Sequence, residues 1–167
     1  MDLLLFEEVA DAVERLVPMG LGPVRHRAHR YGVKVWFGED RPAREHYEAQ
    51  VMGAAAMDGA ELLVLELGFH AEHPDEALNQ AVLERLLAGE RTWRKRLGPA
   101  PEPGDFLGRR TDWRRLSERW ADPDLSDPTM ALEIATRLVD YVDVLEPLRS
   151  AQPKAARTRS RAARARS

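Results

Sequence analysis

The stretch from Glu61 to Phe69 constrains the fold more than any other, because Leu62, Leu63, Val64, Leu65 and Leu67 follow one another in it almost without interruption. A short apolar run of this kind fits a strand that is buried on both faces or central in a sheet. One residue stands against the pattern. Glu66 puts a carboxylate inside the run, and because an unpaired buried charge is costly, it should be buried with a partner or paired at the surface.

The segments around that strand supply the rest of an α+β chain. Leu5, Val9, Ala12 and Leu16 recur at helical spacing, with Phe6, Val13 and Val17 beside them, until Pro18 and Gly20 end the pattern. From Val24 to Phe37 the chain reads as β, with Tyr31, Val33, Val35 and Phe37 alternating against Gly32, Lys34 and Trp36, and Gly32 marking a bulge or bend. A short strand from Glu45 to Met52 follows. The Asp58-Gly59 turn then leads into the apolar strand, so the middle reads as a three-stranded meander.

A long helix comes next. His73-Pro74-Asp75-Glu76 starts it, Ala77, Val82, Leu83, Leu86 and Leu87 form its stripe, Gly89 can interrupt it, and Arg91, Arg94, Lys95 and Arg96 stand at the negative end of its dipole. Gly98 to Gly108, with Pro99, Pro101 and Pro103, reads as an exposed loop. Trp113, Leu116 and Trp120 fall at i, i+3 and i+7, which favours a short helix over a strand. Asp127-Pro128 opens a last helix with the stripe Ala131, Ile134, Leu138, Val142 and Leu145, ending at Glu146-Pro147. The expected order is α-β-β-β-α-(α or β)-α: a small antiparallel sheet of three or more strands with helices packed on one face, forming a single domain over residues 1–150.

Charge sets residues 151–167 apart. Lys154, Arg157, Arg159, Arg161, Arg164 and Arg166 are unaccompanied by any acid there, which leaves 19 basic against 28 acidic residues before Ala151, a formal charge of −9 on the body and +6 on the tail. A disordered arm of this kind can contact nucleic-acid phosphates or fold back on its own acidic body. Arg outnumbers Lys 22 to 3, so biased codon usage in a GC-rich genome is the competing explanation for part of it. The lack of cysteine excludes disulfides, thiolate zinc sites and cysteine nucleophiles. Met1-Asp2 followed by Glu7, Glu8 and Asp11 is unlike an export signal, and no apolar run reaches the ~18 residues of a membrane span, so a cytoplasmic location is expected.

Candidate chemistry gathers on the second and third strands. If they pair with opposed residue numbers summing to about 112, His46 lies opposite Glu66, and Glu48 lies diagonal to it on the same face. His70 and Glu72 extend that parity, so imidazoles and carboxylates of the type that hold Zn or Mn in hydrolytic sites can converge. A solvated sheet face shows polar residues at every second position without any metal. That reading leads, so no catalytic residue, metal or cofactor is assigned; His46, Glu48 and Glu66 stand as the alternative catalytic set, and the same three with His70 as the alternative metal ligands.

The order helix, three strands, helix is similar to the start of the restriction-endonuclease-like fold, whose second and third strands carry an Asp and a Glu-x-Lys. Here Gly68 follows Glu66 at that spacing, and no lysine lies between Lys34 and Lys95. The order also resembles the start of the small secretion-chaperone-like α+β fold, which binds polypeptides. Neither likeness is carried by a motif, so no family is assigned.

Other signals are weaker. Gly20-Leu21-Gly22-Pro23 is too short for a phosphate cradle, and Ser117 and Ser126 lack a nucleophile elbow. Arg25, Arg27 and His29 share one strand face and can grip an anion or be simply wet. Trp93, Trp113 and Trp120, interleaved with Arg91, Arg94, Arg110, Arg114, Arg115 and Arg119, suit stacking on bases or peptides, although tryptophan at helical spacing is more often core and arginine at a helix end answers the dipole. The sequence reading is a non-catalytic binding or regulatory protein engaging a protein or a nucleic-acid phosphate backbone through Arg157, Arg159, Arg161, Arg164 and Arg166, with Trp113, Arg114 and Arg115 in support. Homo-oligomerisation is compatible with it, and a nuclease-like metal hydrolase is the alternative.

Overall fold

A computed structural model describes residues 3–38, 44–107 and 110–150. Six strands, β1 (Val24–His29), β2 (Gly32–Phe37), β3 (Glu45–Gly53), β4 (Leu63–Ala71), β5 (Glu102–Asp105) and β6 (Arg114–Ala121), form one antiparallel sheet in the order β1-β2-β3-β4-β6-β5. Helices α1 (Leu3–Leu16), α2 (Glu76–Leu87), α3 (Glu90–Leu97) and α4 (Met130–Ser150) complete the α+β architecture. The tail at 151–167 lies outside the described residues. Among the described residues, no helix is long and apolar enough to cross a membrane.

Alternation along the strands decides which face the helices take. Val33, Val35, Tyr47, Ala49, Leu65, Leu67, Phe69 and Leu116 are fully buried in the core together with Phe6, Val9 and Val13 of α1 and Ile134, Leu138, Val142 and Leu145 of α4. α1 packs on β1, β2 and α4, and α4 reaches β3 and β4. Polar bonds pin α4 on the same side. Tyr47 donates to Glu146 at 2.8 Å, Arg149 bonds Glu45 at 2.8 Å, and Arg137 bonds Glu118 at 2.5 Å.

Several boundaries differ from the sequence reading. The segment from Val24 to Phe37 is two strands joined by a tight turn, because Gly32 starts a new strand that pairs back on β1. The helical pattern after His73 breaks into α2 and α3 at Gly89, where a Cβ would come within 2.5 Å of Leu148 on α4. The proline-rich stretch, expected as loop, contains β5; Pro103 is admitted because β5 pairs only with β6 and is an edge. The segment read as a short helix, with a strand as its alternative, is the strand β6. Its governing period is two, with Leu116, Glu118 and Trp120 opposite Phe69, Leu67 and Leu65 of β4, and Trp113 precedes the strand. α4 also runs through Pro147 to Ser150, its end tied to β3 by Arg149.

The start of β4 depends on one side chain. Asp122, at φ +47°, accepts the backbone N–H groups of Glu61 (2.7 Å), Leu62 (2.7 Å) and Leu63 (2.9 Å). These bonds, the one from Glu61 foremost, hold its carboxyl below the ordinary aspartate range. A depressed carboxyl stabilises the fold above its unfolded pKa, about 3.9, and loses that contribution as pH falls through the lower folded value. Asp122→Asn should therefore be less stable than the parent near neutrality, and the gap should narrow between pH 5 and pH 2. Denaturant midpoints across that range check it; a gap independent of pH would contradict the assignment.

Candidate functional site

On the face away from the helices, three cross-strand rows bring the polar residues together. Lys34 stands beside Glu48, Glu48 beside Gly68 and Gly68 beside Ser117; His46 stands beside His70 and His70 beside Arg115; Gln50 stands beside Glu66 and Glu66 beside Arg119. Opposed numbers in β3 and β4 sum to 116, because the connection centres on the Asp58-Gly59 turn itself, so the expected sum of 112 is corrected by four. An even slip preserves the face and changes the neighbours: His46 now opposes His70, while Glu66 opposes Gln50.

His70 is the hub. Its Nδ1 lies 2.9 Å from Glu48 Oε2 and its Nε2 lies 3.0 Å from Glu66 Oε1, so both ring nitrogens face carboxylates. Both can donate only as imidazolium. Burial opposes that charge, yet Glu66 and Glu48 overcome it and push the His70 pKa up to about 10. Glu66 responds in the opposite sense. Burial raises its pKa, but His70, together with hydrogen bonds from Ser117 and Gln50, lowers it to about 2. Glu48 is likewise held well below the carboxylate range, against burial, by hydrogen bonds from His46 and His70. His46 Nε2 lies 3.2 Å from Glu48 Oε2, and burial depresses the His46 pKa, favouring the neutral ring.

A border of partners completes the cluster. Lys34 Nζ donates to both Glu72 oxygens at 2.9 and 3.0 Å and lies 3.4 Å from Glu48 Oε2. Ser117 Oγ donates to Glu66 at 2.6 Å and accepts from Arg115 Nη1 at 2.8 Å, and Gln50 donates to Glu66 at 2.6 Å. Three carboxylates, Glu48, Glu66 and Glu72, are thus set against Lys34, His70 and Arg115. The Phe106 ring lies 5.3 Å edge-on to His70, with Trp113 5.2 Å beyond it and Arg110 over the Trp113 ring. His46, His70 and Ser117 have no exposed surface, and Glu66 retains 1%.

The sequence candidates therefore divide. His46, Glu48 and His70 converge, and Glu66 joins them through His70. Glu72, rather than Glu66, completes the set whose ligand atoms all lie within 4.8 Å of one another: His46, Glu48, His70 and Glu72. Arg114 ties β6 to α2 through Glu76 (2.6 Å) and Gln80 (2.9 Å), and Arg115 donates to the carbonyls of Glu102 and Asp105 on β5. Trp93 is fully buried, with its indole N–H donating to Leu86 O. Arg157, Arg159, Arg161, Arg164 and Arg166 lie outside the described residues. Lys34, Gln50, Ser117 and Phe106 were not singled out from sequence as members of this cluster. The parity of β2 marks Lys34, and that of β3 marks Gln50, but Ser117 needed the strand assignment of β6.

Compared with the models of known protein families, with curated proteins and with solved structures, the chain matches none.

Proposed function

We propose that this is a non-catalytic binding or regulatory protein that engages a macromolecular partner, with the Arg-rich segment 151–167 adding a sequence-independent electrostatic contact. The observation that carries this reading is the burial of His46, Glu48, Glu66, His70 and Ser117 at the centre of the polar cluster. A hydrolytic centre must admit a substrate and keep a coordination position or a base open to it. Here both nitrogens of His70 are engaged by carboxylates, the Ser117 hydroxyl is held between Arg115 and Glu66, and the side chains of His46 and His70 are sealed from solvent.

Partner binding has surface to use. A cavity of about 440 Å³ beside the first turn of α1 is lined by Leu4, Leu5, Leu125 and Pro128, and the nearby Leu132 is exposed. The tail carries charges suited to phosphates, whose neutralisation releases counterions and makes affinity fall with salt.

Two assays test the reading. Phosphodiester and ester model substrates with Zn²⁺ or Mn²⁺ should show no turnover that Glu66→Gln removes; turnover abolished in that variant would establish the hydrolase alternative. In fluorescence anisotropy on a labelled DNA duplex, log K should fall with log salt. A chain ending at Ser150 should show a shallower slope, by at most roughly 0.9 for each phosphate that the tail no longer neutralises. A slope unchanged by the truncation would move recognition into residues 1–150.

A further inference from the structure

We infer that His46, Glu48, His70 and Glu72 form an interior binding site for one borderline divalent transition-metal ion of the Zn(II) class, with Lys34 as the internal cation that the metal displaces. The ligand atoms are already gathered. His46 Nε2 lies 3.2 Å from Glu48 Oε2 and 3.6 Å from Glu72 Oε1, His70 Nδ1 lies 2.9 Å from Glu48 Oε2, and no pair of ligand atoms exceeds 4.8 Å. Four ligands at Zn–N and Zn–O distances of about 2.0–2.2 Å stand roughly 3.4 Å apart in a tetrahedron; the pairs at 2.9, 3.2 and 3.6 Å straddle that separation, and the remaining pairs, all within 4.8 Å, close toward it by side-chain rotation.

The donor set selects the metal class. Two imidazoles with two carboxylates suit Zn(II) and its neighbours, whereas Mg(II) and Ca(II) favour all-oxygen sites. The next layer is also of the kind that orients a metal-bound imidazole. His70 would release its Nδ1 proton to solvent and ligate through Nδ1, and its Nε2–H already points at Glu66 Oε1 at 3.0 Å, while Ser117 and Gln50 fix that carboxylate at 2.6 Å each. This carboxylate–imidazole arrangement holds the ring and raises its donor strength.

Lys34 reads as the competing cation. Its ammonium bonds both oxygens of Glu72 and approaches Glu48, two of the four ligands, and its side chain is partly exposed at the border of the site. A divalent ion taking Glu48 and Glu72 would send that ammonium outward to water. With all four ligands buried, the ion would hold β3 to β4 in the interior rather than meet a substrate, which leaves the non-catalytic reading untouched.

Titration of the chelator-treated full-length protein with Zn²⁺ in a calorimeter tests the site, with Mg²⁺ as control. One Zn²⁺ per chain should bind at micromolar affinity or tighter, raise the melting temperature by several degrees, and leave Mg²⁺ without effect. Co²⁺ in its place should give the visible absorption of a low-coordinate site. Glu72→Gln should weaken binding at least tenfold while the fold persists, because Glu72 sits at the border, and His46→Ala should do the same. Lys34→Ala should tighten binding, an effect that metal caught at the exposed His26 and His29 would not show. No binding, binding unchanged in Glu72→Gln, or binding unaffected by Lys34→Ala would each overturn the assignment.

Discussion

His70→Ala should be among the most destabilising single substitutions in this protein. It removes the positive charge between Glu48 and Glu66, leaving two carboxylates that retain 4% and 1% of their side-chain exposure without the partner that bridges them. Removing one member of a buried ion pair costs about 3–5 kcal/mol, because the remaining charge stays desolvated. For a chain of this length each kcal/mol moves the melting temperature by roughly 2–4 °C, so a loss on the order of 10 °C is expected. Glu66→Gln should cost less, since Glu48 still engages His70 and the new amide can accept from Ser117. A double-mutant cycle on the two positions, read by chemical denaturation, should give a coupling of about 0.5–3 kcal/mol. Additive effects would mean that the bridge is not formed.

Gly68→Ala is the second large effect, and it arises from backbone approach rather than charge. Gly68 adopts φ +153° at the centre of β4, and a Cβ there would lie 2.5 Å from both Leu116 O and Ser117 Cα on β6. Such clashes cannot be relieved by rotating a side chain. Strain from a conformation that side chains rarely adopt costs about 1–3 kcal/mol, and overpacking adds about 1–3 kcal/mol. The β4–β6 pairing should open, lowering the denaturation midpoint and exposing amides of both strands to hydrogen exchange. A variant with parental stability and parental exchange in β6 would contradict this register.

The polar cluster is partly legible in the sequence because parity tolerates register error. His46, Glu48, Glu66, His70 and Glu72 share a face under any even offset, so a hairpin centre placed two residues early changes the pairs and keeps the set. Glu66 is marked by its position in an apolar run. Lys34 and Ser117 are harder to place, since their roles depend on which strands become neighbours, a long-range property that local spacing does not carry. β6 shows the same limit: the helical spacing of Trp113, Leu116 and Trp120 is real, yet pairing with β4 overrides it. β5, with a proline and a glycine in four residues, has almost no strand signal of its own and exists because β6 offers it an edge.

The claim that the His/Glu cluster is interior, and so removed from catalysis, is tested most directly by histidine acylation. Diethyl pyrocarbonate modifies neutral, accessible imidazoles, and the chain has 5 histidines in distinct settings. His26 and His29 are exposed on β1, whereas His46 is favoured as the neutral ring and is shielded only by the fold. Peptide mapping of the native protein after brief treatment should find His26 and His29 modified and His46 and His70 untouched, with all of them reacting in denaturant. Modification of native His46 at a rate comparable to His26 would show an accessible site and contradict the non-catalytic reading at its foundation.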